Sequence, residues 1–228
     1  MKLKWILYFT IASLVVMTGF GIIQKKSYTD VVQNNIYMDE INVAQISEKT
    51  AKTAYQELSE SLPESPVILK VSAVKDIEHF GRTSRQLVQI QDIFAGEELN
   101  IGEEIYITFY RWSLALHSKP GSMERGFVNV MEIGEEYLIF IRGQVDGLGE
   151  KTPVYELAGE SVVAPVFSYR THNNKIMPMD GISTYVSYAD VRDNEFFAAS
   201  RESLDILLKL KTEMMEKYCE DGAGTVNG

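Results

Sequence analysis

The chain has 228 residues, 45 % apolar and 24 % charged, with one cysteine and a net charge of −10. That balance excludes a disordered polar chain and suits one ordinary domain, and a lone cysteine excludes an intrachain disulfide. The acidity argues against nucleic acid as a partner, because a phosphate backbone is held chiefly by basic side chains.

Residues 5–23 form a run of 19 uncharged residues. As a helix this run would span about 28 Å, close to the hydrocarbon thickness of a bilayer. Lys2 and Lys4 precede it and Lys25 and Lys26 follow it, placed to reach the two headgroup layers. The expectation is a signal-anchor segment over residues 1–26. The membrane is then a partner through residues 5–23, and a single-pass chain carries its C-terminal domain outside the cytoplasm. The alternative is secretion after cleavage near Gly21, since Gly19 and Gly21 supply the small residues a signal peptidase needs. Setting the four lysines aside leaves 18 basic against 32 acidic residues, so residues 27–228 carry about −14. An exported chain so poor in cysteine fits a bacterial envelope better than an animal secretory pathway.

Residues 27–62 read as a stalk that becomes helical. Ala51, Ala54, Tyr55, Leu58 and Leu62 recur at spacings of three and four, and Pro63 and Pro66 end the pattern. A β domain is expected over residues 63–218. Val67, Leu69, Val71 and Ala73 alternate with polar neighbours, which is the period of a half-buried strand. A loop around residues 81–84 precedes a strand over residues 87–94, with Val88 and Ile90 on one face and Gln89 and Gln91 on the other. Ile105, Ile107 and Phe109 mark a third strand. Residues 113–126 lack a period and read as a surface loop. Residues 137–141 are apolar on both faces, as a central or barrel-closing strand would be. Further strands are expected at residues 153–157, 162–169 and 182–188, the second at an edge because of Pro165. From about Ser200 an amphipathic helix follows, with Leu204, Leu207, Leu208, Met214, Met215 and Tyr218 along one face. Residues 219–228 read as a disordered tail.

The order of these elements carries a resemblance. A helix ending in Glu57-Leu58-Ser59-Glu60-Ser61 leads into the strands at residues 67–74 and 87–94. The turns follow at Ala95-Gly96 and Gly102-Glu103, and the last strand is Gly134-Glu135-Glu136-Tyr137-Leu138-Ile139-Phe140. This succession resembles the netrin-module and tissue-inhibitor-of-metalloproteinases-like superfamily. The resemblance implies an OB-like antiparallel β-barrel and a bias toward protein recognition outside the cell. The paired cysteines with which such inhibitors chelate a target's zinc are missing, so zinc-protease inhibition is not implied. The fold class read here is mainly β with flanking helices (α+β): the barrel, an N-terminal transmembrane helix before it, and the C-terminal amphipathic helix closing it.

No catalytic, cofactor or metal site is read from the sequence, and no cofactor is expected. His79, His117 and His172 are scattered, without the spacing of a helical zinc site. No Gly-x-Ser-x-Gly turn occurs. Cys219 stands beside Glu220 and Asp221, whose charge disfavours a thiolate. The pairs Glu97-Glu98, Glu103-Glu104 and Glu135-Glu136 sit at strand starts, where they point into water. Residues 146–150 offer oxygen ligands but not the EF-hand spacing. Tyrosine is in surplus, with 12 copies. Tyr106 and Tyr110 share the outer face of one strand, with Trp112 next in line, as a candidate ligand-binding stripe. The functional expectation is a membrane-anchored extracytoplasmic binding protein, whose partner is an unknown protein or extended ligand. The alternatives are a secreted enzyme or protease inhibitor whose site is assembled only in the fold, and a structural subunit of an envelope complex.

Overall fold

The computed structural model describes residues 41–80, 83–96, 98–109, 112–115, 122–145, 151–177 and 184–219. Before residue 41 it describes only Trp5, Tyr8, Ser13, Leu14, Met17 and Thr18, all helical. The chain divides into two units, Met1–Asn35 and Ile36–Gly228. The expected membrane segment at residues 5–23 therefore lies outside the described residues except at those six positions. Residues 146–150 and 220–228 lie outside them as well. Among the described residues no helix is long and apolar enough to cross a membrane.

The second unit begins with β1 (Asn42–Ala44) and α1 (Glu48–Ser61). There follow β2 (Val67–Ala73), β3 (Glu78–Phe80), β4 (Thr83–Ala95), β5 (Glu104–Phe109), β6 (Trp112–Ala115), β7 (Ser122–Arg125), β8 (Glu136–Gln144) and β9 (Val154–Leu157). The chain closes with β10 (Val166–Ser168), β11 (Tyr185–Ser187), the single turn α2 (Tyr188–Val191) and α3 (Arg201–Cys219). β2 pairs antiparallel with β4 and with β8, and β4 pairs antiparallel with β5. β5 runs parallel to β9, which returns antiparallel onto β8. These five strands form a closed barrel in the order β2-β4-β5-β9-β8, an OB-like arrangement. Closure removes the unpaired edges that an open sheet would present. The fold is mixed α and β, with few helices.

Alternation explains the core. Leu69, Val71, Val88, Ile90, Ile105, Ile107, Tyr137, Ile139 and Ile141 occupy successive inward positions and are buried. In β8 the outward residues Leu138 and Phe140 are buried too, which accounts for its apolar run on both faces. Phe140 packs edge-on against Phe167 of β10 and Tyr218 of α3, at centroid distances of 6.1 and 5.7 Å. Helix α1 starts at Ser47, whose hydroxyl accepts the Thr50 amide at 3.3 Å. It buries Ala51, Ala54 and Leu58 as its period predicts, and a 3-10 turn, Leu62–Glu64, with Pro63 inside it ends the helix. α3 buries Leu204, Leu207, Leu210 and Met214. Leu208 and Met215, expected on the same face, sit at its flank and are partly buried. The two helices are joined by the Tyr55 hydroxyl, which donates to Glu213 Oε1 at 2.8 Å.

Several segments differ from the sequence reading, among them β3, which was not expected, and Tyr188, expected to end a strand but opening α2. Residues 113–126, expected as a surface loop, contain β6 and β7, which pair antiparallel. They join a second sheet of order β11-β1-β7-β6. Asn42–Ala44, expected within a stalk, is an inner strand of that sheet. The neighbouring Ile41 and Val43 share a second core with Tyr188, Val191 and Phe197. β4 starts at Thr83, inside the expected loop, because its first inward positions are the polar but fully buried Ser84 and Gln86. Within residues 162–169 only Val166–Ser168 pairs, and it pairs with β8 alone, at a sheet end as Pro165 suggested.

Candidate functional site

The outer surface of β4 and β5 carries a group of linked, partly exposed side chains. Tyr106 projects from β5 and is half-buried. Arg85, on β4, lays its guanidinium over the Tyr106 ring at 4.0 Å from the centroid. Glu78, on the hairpin partner β3, fixes that guanidinium with an Arg85 Nε to Oε2 contact of 2.9 Å. The Tyr106 hydroxyl donates to the other oxygen of Glu78 at 3.5 Å. The three side chains thus hold a flat aromatic and guanidinium surface in one orientation. Tyr110 lies outside the described residues. Trp112 opens β6, which belongs to the second sheet, so β5 does not carry it in line with Tyr106.

Below this stack β4 is irregular. Val71 pairs with Ile90 and Lys70 with Asp92, so Gln91 is an extra residue with no partner on β2. Such a bulge kinks the strand and re-aims a side chain. Gln91 Nε2 donates to Ser72 Oγ at 2.7 Å and to Gln89 Oε1 at 3.2 Å. Gln89 lies opposite Ser72 on β2 and Glu104 on β5. The surrounding charge is negative. Burial pushes the Tyr155 hydroxyl above its ordinary value, and the nearby carboxylates of Glu103 and Glu98 push it the same way.

A second cluster is buried where β10, α3 and residues 193–197 meet. The Glu195 carboxylate is almost inaccessible. It accepts the Ser168 amide at 2.8 Å and pairs with Lys211 Nζ at 2.5 Å. Burial raises its pKa above the ordinary value, and the Lys211 ammonium, the Ser168 N–H and the charge of His172 pull it back in part. His172 Nδ1 faces the Asp193 carbonyl at 3.0 Å, so that nitrogen carries a proton, and Nε2 lies 3.2 Å from the Ser168 hydroxyl oxygen. Beside them Tyr137 accepts the Glu132 amide at 2.8 Å, and burial pushes its own pKa up to about 12. Asn129, Glu132, Tyr137, His172 and Glu195 line a cavity of about 10 Å³, roughly the room one water molecule requires. Ser168 is only 1 % exposed, so this Ser–His pair is shielded from any larger substrate in the conformation seen. Among the described residues no group of three or more His, Cys, Asp and Glu side chains stands close enough to hold a metal ion.

The geometry of Glu195 gives a pH dependence with a definite sign. Its folded pKa lies above the ordinary 4.5, so between the two values the folded chain holds a proton that the unfolded chain has lost. Stability from this group is therefore fully present at the acid end of that window and falls as pH rises through it. Against Glu195→Gln, which cannot titrate, the wild-type chain should gain stability as pH is lowered from 7 toward 4.5. Urea unfolding of the two proteins at a series of pH values checks this, and parallel curves would show that burial does not govern the carboxyl.

Sequence reasoning found Tyr106 from its strand position but missed Arg85 and Glu78, whose partnership depends on the β3–β4 hairpin. The Glu195 cluster also went unseen, because its members come from separate segments without a common period. No protein-family model matches the chain, and no curated protein matches it either.

Proposed function

We propose that this chain is a membrane-anchored binding module, whose barrel works outside the cytoplasm and holds an extended ligand on the outer face of β4 and β5. The observation that carries this reading is the partly exposed Arg85–Tyr106 stack, fixed by Glu78. Rigid aromatic surface of this kind binds with little ordering cost. OB-like barrels commonly use this face for linear ligands. The netrin-like reading of the barrel rests on the order of its strands and turns in the sequence. Gly96, Gly102 and Gly134, at the places quoted for that resemblance, all have positive φ, where glycine is favoured. The anchor reading rests on the 19 uncharged residues 5–23 and the lysines on either side of them.

Tyr106→Ser tests the binding role. Crosslinking in intact cells followed by purification should recover a partner with the wild-type chain and at least tenfold less with the variant, at an unchanged melting temperature. A collapsed melt would identify Tyr106 as a structural residue, and unchanged recovery would move the binding surface elsewhere.

A second reading, an enzyme whose site forms only in the fold, has the His172–Ser168–Glu195 cluster in its favour. It requires that Glu195→Gln abolish an activity while the fold persists. The binding reading requires only the change in stability described above.

A further inference from the structure

The polar row beneath the Tyr106 stack points to a ligand class, an inference that rests on the binding role of this face. Ser72, Gln91 and Gln89 are linked head to tail. Gln91 donates to Ser72 and to Gln89, and Gln89 Nε2 donates onward to the Gly102 carbonyl at 3.3 Å. The donors of the row are thus turned along the surface. The carbonyl oxygen of Gln91 has no protein donor among the described residues, and the Ser72 hydroxyl, accepting from Gln91, keeps its hydrogen for an outside acceptor. The bulge at Gln91 aims this amide, and β2 and β4 on either side hold the row on a rigid sheet. Exposed Glu104 continues the row onto β5, two register pairs from Tyr106.

The polar row and the Tyr106 ring suit hydroxyl groups and C–H surface, while the charges of Arg85 and Glu78 are paired with each other. With both Gln91 amide hydrogens engaged inside the row, its free carbonyl accepts and the Ser72 hydroxyl donates, an acceptor and a donor side by side that match the alternating donors and acceptors of neighbouring hydroxyls. The part of the Tyr106 ring that the Arg85 guanidinium leaves uncovered supplies apolar surface next to them, as the C–H face of a sugar ring requires. Adjacent strands set such groups about 4.8 Å apart, comparable to the spacing of hydroxyls across one pyranose ring. Two ligand classes are common on this face of OB-like barrels, oligonucleotides and oligosaccharides. The net charge of −10, with Glu98, Glu103 and Glu104 close by, repels the first. A peptide would pair its backbone along a free strand edge. β2, β4 and β5 have both edges paired in the barrel, and β3, whose outer edge is free among the described residues, meets β4 only at Thr83–Arg85, away from the row at Gln89 and Gln91. We propose that the outer face of β2, β4 and β5 binds a neutral, hydroxyl-rich glycan chain, with Gln89, Gln91 and Ser72 bonding its hydroxyls and Tyr106 stacking on a ring.

The test is affinity electrophoresis of the full-length chain, in a detergent without a sugar headgroup, through gels containing a soluble β-glucan, a mannan or chitin oligomers. At least one should retard the wild-type protein. The double variant Gln89→Ala/Gln91→Ala should lose at least tenfold in apparent affinity at an unchanged thermal melt, and Ser72→Ala should lose less. No retardation by any neutral glycan overturns the assignment, as does equal retardation of the double variant or retardation by heparin or a peptide library instead. If the glycans fail while Tyr106→Ser still abolishes capture in cells, the binding role stands and only the ligand class falls.

Discussion

Lys211→Met should destabilise the fold by about 3–5 kcal/mol at pH 7, the range expected when one partner of a buried ion pair is removed. Lys211 is 15 % and Glu195 4 % exposed at the side chain, so water cannot take over the lost contact. The ammonium also donates to the Arg170 carbonyl at 3.2 Å, which would lose that donor. The penalty should shrink on acidification, because burial already sets the pKa of Glu195 above its ordinary value and removal of Lys211 raises it further. The double variant Lys211→Met/Glu195→Gln should recover most of the loss, since replacing both charges by neutral groups of similar size is often nearly neutral. Urea titrations of the four proteins at pH 7 and pH 5 read the coupling directly. A loss under about 1 kcal/mol at pH 7, as for a solvent-screened pair, would mean that α3 is not clamped through this contact.

Phe140→Ala should cost about 3–5 kcal/mol, the usual price of emptying a large aromatic site in a core. The residue is fully buried and touches elements that are distant in sequence. Its ring stands edge-on to Phe167 at 78° and to Tyr218 at 70°, tying β8 to β10 and to the end of α3. Tyr218 also packs on Phe94 of β4, with centroids 5.8 Å apart. Two readouts should move together: a lower urea midpoint, and faster protease cleavage in the last turn of α3. Loss of stability without faster cleavage would show that α3 is held by its Leu207 and Leu210 seam rather than by the aromatic cluster.

Those aromatic contacts also show which parts of the fold were legible. β2, β8 and α1 announced themselves because one physical constraint, burial of one or both faces, acts along each of them and writes a clean period. β4 was seen only from residue 87 on, since Ser84 and Gln86 occupy inward positions without being apolar. Gln86 is tolerated there because its amide donates to the Lys75 and Met131 carbonyls at 2.9 and 2.8 Å. β1, β6 and β7 are too short to carry a period. Their existence follows from pairing between distant segments, such as Asn42 with Ser122 and Val43 with Val186. The site divides in the same way. Tyr106 could be placed from strand alternation alone. The role of Arg85 depends on β3 folding back, and that of Gln91 on a bulge that exists only relative to β2. The Glu195–Lys211 pair joins residues 16 apart, with no period to mark either.

The claim that the outer face of β2, β4 and β5 is the binding surface is tested most directly by placing a photo-crosslinking amino acid at single positions in the full-length chain in living cells. Gln89 and Thr108 sample the face, and Glu202 on the exposed side of α3 serves as control. Irradiation should give a discrete higher-mass adduct from positions 89 and 108 and none from 202. Adducts from 202 alone, or equally from all three positions, would contradict the account.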